Sequence, residues 1–405
     1  MTTKSFSIAV PEPKLTADEL VDRARALRPM LRAEQAATEQ RTAPSPLIHE
    51  AIRKAGLYRI LQPRRFGGYE LSLVDMCRAG FEIARGCPST GWYYSFTTGH
   101  TAILAQFYSE QAQAELFGPD GDFLAPGRAP MGTATRTKDG WIINGKWDYC
   151  SGSAYSTHFL AGIIEAGRDG PPRIGTAILH RQQFTILDDW GDTIGMRGTA
   201  SNSIVVDKQL VPDHWISWEN QLDVDLTKPM PGRDLHRTAL YAARFQSQLL
   251  TECAAWAVGT GLAMLDEYGL LVTQSEDNDS MRGLPRIERQ DRERYYGVAN
   301  GLVETAAAAV LQTARTHAEF ARRGMEGGVP FSKAEDLCLK LQLQRAIEMC
   351  WQAVELLFRT SGSHGIRNGS RLQRYYRDYA MAKTHFFFQL ESHATEYTQV
   401  RFSSN

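Results

Sequence analysis

Apolar positions recur at helical spacing from Leu15 to about Gly118. Leu20, Ala24, Leu27 and Leu31 fall three or four residues apart, as the buried stripe of an amphipathic helix requires, and Pro46 to Gly56 repeats the pattern after a proline start. The pair Gly67-Gly68 breaks the chain before the spacing resumes. From Phe123 to about Trp218 the period shortens to that of strands. Lys138-Asp139-Gly140 is a turn signal between Ala134 to Arg136 and Trp141 to Ile143, and Ile174 to Ile178, Phe184 to Leu187 and Ser203 to Val206 read as further short strands. Thr227 to Arg233 reads as a connector. Helices then return, with Leu302, Ala306, Val310 and Ala314 marking one and Leu337, Leu341, Ile347, Trp351, Val354 and Phe358 another. Helices, a β-insert and a helical bundle make an α+β chain without βαβ alternation. The expected boundaries are residues 1–120, 121–225 and 226–405.

The composition narrows what such a chain does. With 405 residues, 43% of them apolar and 22% charged, it can bury a large core, and its net charge of -1 calls for no polyanion. No basic run is interleaved with aromatics, which disfavours nucleic acid. No apolar run reaches the roughly 18 residues of a membrane span, and Met1 to Pro13 lack a cationic start with an apolar core, so a cytoplasmic protein is expected. Cys77, Cys87, Cys150, Cys253, Cys338 and Cys350 are scattered with no CxxC pair, which signals neither zinc nor disulfides. No GxGxxG follows a strand and no GxxxxGK[ST] loop occurs; Gly259-Thr260-Gly261 lacks the third glycine, so common nicotinamide and ATP sites are not expected.

Several segments, in order and covering nearly the whole chain, carry a resemblance. They are Ala55-Gly56-Leu57 with Leu61-Gln62-Pro63 and Phe66-Gly67-Gly68; Gly86 to Trp92 with His100 eight residues on; Trp147-Asp148-Tyr149-Cys150-Ser151-Gly152; Gly195 to Asn202 running into Val211 to His214; and Gln373-Arg374 with Arg377-Asp378. Together they resemble the acyl-CoA dehydrogenase fold, and within it the two-component (group D) flavin-dependent monooxygenases of the phenol-hydroxylase type. The resemblance implies a helical N-terminal domain, a central β-domain and a C-terminal four-helix bundle, assembled as a homotetramer. It also implies reduced FMN or FAD from a separate NAD(P)H-dependent reductase, dioxygen as co-substrate, a flavin C4a-hydroperoxide, and hydroxylation of an aromatic or phenolic small molecule. No metal is implied.

Carried over residue by residue, Ser151 stands beside the flavin edge, His385 faces the oxygen intermediate, and His100 orients or deprotonates a substrate hydroxyl. Trp147, Arg197, Gly198, Thr199 and Ser201 join Ser151 as cofactor-binding candidates. Trp92 and Phe96 share the helix face of His100 and are candidate substrate walls. Each has an ordinary alternative: a Ser-Gly turn for Ser151, a satisfied core histidine for His100 and His385, a strand-to-strand turn for residues 197–202, and core packing for the aromatics. His158 and His393 match no motif and read as structural. Arg282, Arg286, Arg289, Arg292 and Arg294 read as a solvated face, with flavin-phosphate contact across a subunit boundary as the alternative. The rival function is an acyl-CoA dehydrogenase with bound FAD. It needs a carboxylate base; the usual C-terminal place holds Thr384-His385-Phe386, and the helical alternative holds Thr251 beside Glu252.

Overall fold

Capping chemistry cuts the first hundred residues into helices. The computed structural model describes residues 7–118, 121–274, 289–363 and 365–403. Helix α1 (Ala17–Ala26) opens on a Thr16–Glu19 capping box, α2 (Arg28–Arg41) ends on left-handed Thr42, and α3 (Pro46–Lys54) is capped by Ser45. Helix α4 (Leu73–Gly86) opens on a Ser72–Asp75 box. Pro88 then starts α5 (Pro88–Gly99), all of whose residues are buried. Helices α6 (Thr101–Phe107) and α7 (Glu110–Phe117) complete this part.

The central part is a seven-stranded sheet: β1 (Gly127–Thr137), β2 (Gly140–Trp147), β3 (His158–Glu165), β4 (Ile174–His180), β5 (Thr185–Ile186), β6 (Ile204–Val211) and β7 (Ile216–Ser217), in the order β5-β6-β2-β1-β3-β4-β7. Strands β1 and β3 run parallel and the other pairs antiparallel. The Lys138-Asp139 turn falls where expected, with Thr137 paired to Gly140. Strand β4 extends past the expected Ile178 and β6 past Val206, while the Phe184 to Leu187 stretch pairs only through β5. Strand β3 escaped the alternation test because six successive residues, His158 to Ile163, are buried, and a strand covered on both faces has no polar phase to read.

The expected connector carries a short helix, α8 (Pro231–His236), before α9 (Phe245–Gln274), α10 (Arg289–Met325), α11 (Lys333–Thr360), α12 (Arg371–Ala382) and α13 (Leu390–Ser403). Helix α9 is the hub, packing on α4 and α5 of the N-terminal part and on α10, α11 and α12 of the bundle. Small residues let it approach α4: a Cβ on Gly259 would lie 2.5 Å from that of Ala84. Of the arginine-rich stretch, Arg282 and Arg286 lie outside the described residues. Arg292 donates to the Leu271 carbonyl at 3.3 Å and Arg294 pairs with Asp291. No helix among the described residues is long and apolar enough to cross a membrane. Five of the six cysteines are buried, and all six are free thiols.

The sheet meets the bundle at Gly195, where a Cβ would fall 2.2 Å from the Arg377 carbonyl oxygen. Backbone cannot yield as a side-chain tip does, so Gly195→Ala should destabilise the protein by about 1–3 kcal/mol. Gly301→Ala on α10, where a Cβ meets nothing within 4 Å, should be neutral or stabilising by up to about 1 kcal/mol. Parallel urea melts check the pair; equal midpoints would refute the packing claim.

Candidate active site

Helix α5 supplies one wall. Its residues Trp92 and Phe96 are four apart, hence on one face, with ring centroids 4.7 Å apart, and Phe96 meets His100 at 5.7 Å. At the other end Trp92 meets His385 at 5.6 Å and Phe388 at 6.2 Å. The predicted substrate-wall pair thus stands in a row between the two predicted histidines. Trp256 of α9 closes the row from behind, 5.2 Å from Trp92.

The two histidines are held in opposite tautomers by main-chain groups. His100 Nδ1 lies 2.8 Å from the Ala125 carbonyl oxygen, which can only accept, so Nδ1 carries the proton and Nε2 is an acceptor. His385 does not sit on a helix: it caps the turn Phe386–Phe388, its Nδ1 accepting from the Phe387 N–H at 3.3 Å, so its proton is on Nε2. Burial lowers the pKa of each to about 4, with the nearby Arg128 guanidinium adding to the effect at His385. Near neutral pH the site therefore offers one imidazole acceptor and one neutral imidazole donor.

Hydroxyls form the second wall. Trp92 Nε1–H donates to Ser151 Oγ at 3.0 Å, Ser151 Oγ lies 2.8 Å from Ser201 Oγ, and Ser201 Oγ lies 2.6 Å from Thr199 Oγ1, which donates to the Met196 carbonyl at 2.8 Å. Each hydroxyl has a single proton. Because the chain ends on a carbonyl, Ser201 must donate to Thr199 and Ser151 to Ser201. Ser151 keeps one lone pair uncommitted, and presents it as an acceptor.

Backbone geometry fixes this wall. Gly152, at φ +90°, sends its N–H to the carbonyls of Thr199 and Ala200, and a Cβ there would meet Thr97 of α5 at 2.8 Å. Met196 and Ala200 both hold left-handed backbone. The Met196 N–H donates to Asp378 at 2.5 Å, and Ser89 Oγ donates to the same carboxylate at 3.1 Å. Asp378 is buried, which raises its pKa to about 6. Beside it Glu39 is paired with Arg374 and Arg377 at 2.7 and 2.6 Å.

The structure does not gather every predicted residue. Trp147 is fully buried in the sheet core, its indole N–H committed to the Gly162 carbonyl at 2.9 Å and its ring against Phe159. Its hydrophobic size won over any ligand role. Arg197 is half-buried and donates to the Thr193 carbonyl at 2.7 Å, and Gly198 is packed against Thr38 and Ser89; both shape the loop from outside the hydroxyl chain. Sequence reasoning missed Trp256, Phe388 and Arg128, which match no motif, and Gly127, where a Cβ would meet His100 at 2.9 Å. His158 stacks on Phe123 and His393 is buried beside Glu396, both outside the row of rings. Glu252 is fully buried against Gly99 with no hydrogen-bond partner among the described residues, and burial drives its pKa far up. It is closed off beneath α5. No group of acidic, histidine and cysteine side chains that could hold a metal occurs among the described residues.

Known proteins share this fold. Residues 17–119 and 251–390 match the families described as acyl-CoA dehydrogenase, N-terminal domain, and acyl-CoA dehydrogenase, C-terminal domain. The chain is 28% identical over 382 residues to the flavin-dependent monooxygenase oxygenase subunit HsaA of Rhodococcus jostii, covering 90% of this chain and 93% of that one. It is 30% identical over 350 residues to the indole-3-acetate monooxygenase of Pseudomonas putida, covering 84% and 82%. The chain belongs to the flavin-dependent monooxygenases of acyl-CoA dehydrogenase fold. The crystal structure of 3-HSA hydroxylase from Rhodococcus sp. RHA1 superposes with a TM-score of 0.84 at 26% identity, over 95% of this chain and 97% of the other. This monooxygenase is an oxygenase component, working with flavin reduced by a separate protein.

The neutral histidines, His100 buried and His385 half-buried, make stability pH-dependent. Unfolded, each binds a proton below about pH 6.5; folded, each does so only below about 4. Their contribution is present above pH 6.5 and is lost as pH falls towards 4. His100→Gln should therefore show a shallower acid limb than wild type, by about 1.4 kcal/mol per pH unit between those limits. Urea melts at pH 7, 6 and 5 measure it, and parallel limbs would contradict the assignment.

Proposed function

We propose that this oxygenase component hydroxylates a phenolic ring lodged between His100 and His385, with the reactive edge of flavin against Ser151. The observation that carries the reading is the direction of the hydroxyl chain. Ser151 offers an acceptor, and reduced flavin carries at N5 an N–H that oxidised flavin lacks. This acceptor thus fits the reduced cofactor that a separate NAD(P)H-dependent reductase delivers. Reduced flavin, when bound, supplies the electrons that activate dioxygen. The chain's own residues bind, orient and exclude water.

On the substrate side, His100 Nε2 would accept the hydrogen bond of a phenol hydroxyl, which makes the ring more nucleophilic. Its lowered pKa keeps this nitrogen in the acceptor form across the neutral range. Trp92 and Phe96 give the ring apolar faces to lie against. His385 donates from Nε2 towards the oxygen-bearing side without adding positive charge. The buried aromatic surround keeps water from the reacting groups. The dehydrogenase alternative finds no support in these side chains, since an imidazole stands where a carboxylate is required and Glu252 is sealed under Gly99.

Two measurements test the reading. Ser151→Ala should weaken binding of reduced flavin about tenfold, the value of one hydrogen bond, and leave oxidised flavin binding nearly unchanged. Anaerobic and aerobic titrations report the two constants, and an equal loss in both would remove the acceptor from the argument. His100→Ala should leave reduced-flavin binding intact but lower hydroxylated product per flavin oxidised by on the order of 100-fold, with the missing oxidant recovered as hydrogen peroxide. Unchanged coupling with a panel of phenols would overturn the role given to His100.

A further inference from the structure

Behind Trp92 a run of oxidisable rings crosses the protein. Trp92 meets Trp256 at 5.2 Å, Trp256 meets Tyr379 at 4.9 Å, Tyr379 meets Trp351 at 5.6 Å, and Trp351 meets Tyr376 at 5.5 Å. Trp256 and Tyr379 are fully buried, whereas Trp351 and Tyr376 are half-buried. One end is therefore the candidate active site, through the Trp92 to Ser151 hydrogen bond, and the other reaches solvent. Core packing asks only for apolar bulk, which phenylalanine supplies alongside at Phe388 and Phe358. Indoles linked directly or through one phenol ring, at centroid steps of 4.9 to 5.6 Å, add something phenylalanine lacks, because electron tunnelling falls exponentially with distance and several short hops outrun one long one.

We propose that Trp92, Trp256 and Trp351 form a relay that carries a stray oxidising equivalent from the pocket to the protein surface. The proposal rests on the reading that reduced flavin meets dioxygen beside Trp92. The oxidant is a hydroxyl radical, formed when hydrogen peroxide, the product of that reaction without an organic substrate, takes one electron and one proton from a further reduced flavin, breaks its O–O bond and releases water. It takes one electron from Trp92 and becomes hydroxide. Trp256 returns an electron to Trp92, and Trp351 returns one to Trp256. The Trp256 N–H donates to the Pro88 carbonyl at 2.9 Å, which cannot take a proton, so the charge does not rest there. Tyr379 likewise donates to the Ile347 carbonyl at 2.7 Å, so its ring bridges the step without losing its phenolic proton. At half-buried Trp351 the indole proton passes to water, and with the hydroxide makes water. A solvent thiol then gives Trp351 a hydrogen atom and leaves as a thiyl radical. The sum is hydroxyl radical plus thiol giving water plus thiyl radical, with the protein unchanged.

The test maps oxidised tryptophan by peptide mass spectrometry in wild type, Trp256→Phe and Trp351→Phe. One arm supplies reduced FMN and oxygen without organic substrate; the other supplies oxidised FMN under blue light, whose excited ring takes an electron without any oxygenase chemistry. Wild type should carry its marks chiefly at Trp351, and added glutathione should suppress them. Both variants should raise oxidation of Trp92 severalfold, and Trp256→Phe should also lower it at Trp351. Trp351→Phe changes a half-buried position, so it decides the matter even if Trp256→Phe fails to fold. Unchanged marking of Trp92 in both variants overturns the relay. Redistribution in the light arm with none in the dark arm would instead keep the relay and discard the oxygen chemistry on which it draws.

Discussion

One carboxylate holds the site together. Asp378, on a helix near the C-terminus, accepts from Met196 in the β-domain loop and from Ser89 at the start of α5. Three segments separated by hundreds of residues are joined at a buried point. A carboxylate there is costly unless its lone pairs are filled, so once the helices pack, the loop has to bring Met196 to it. The left-handed turn at Met196 follows, and with it the placement of Thr199 and Ser201 against Ser151. The Glu39 pairs with Arg374 and Arg377 brace the same helix from the other side. The motif around Gln373 to Asp378 thus does its work at a distance, by setting a loop that it never joins in chemistry.

Much of this was legible before any coordinates. The helical stripe through Leu20 and Leu31, the Lys138-Asp139 turn and the long helices around Val310 and Ile347 all follow from periodicity, because each of those elements has one wet face. The histidine and serine positions came instead from ordered motifs, since no spacing rule brings His100 and His385 to the two ends of one row of rings across 285 residues. What stayed hidden had a physical reason. Strand β3 is buried on both faces and shows no alternation. Trp147 sits in a motif with Ser151, yet strand β2 ends at Trp147 and left-handed Tyr149 turns the chain before Ser151, so the indole stays with the sheet core. Trp256 lies in an almost wholly apolar stretch of α9, where no single ring announces a pocket.

The tautomers were also beyond the sequence. A histidine read from its neighbours is only a group that titrates near neutrality. Its proton is placed by the Ala125 carbonyl in one case and the Phe387 amide in the other, and both are main-chain atoms available only once the chain is folded. Burial then removes the charge from each ring. The pair works as a fixed acceptor and a fixed donor, which is a narrower and more directional chemistry than two titrating imidazoles would provide.

Helix α5 has no solvent face at all: all twelve of its residues are buried, among them both aromatic walls of the candidate site. A change at Trp92 or Phe96 is therefore also a change to the hydrophobic core, and any new shape has to be absorbed by α4 and α9 packed behind it. Evolutionary drift in substrate range is easier along segments that have one side in water, such as the turn after α12, where Phe386 is 62% exposed while Phe388 beside it is buried. In this fold, diversification is expected to run through the half-exposed turns while helix α5 stays nearly frozen.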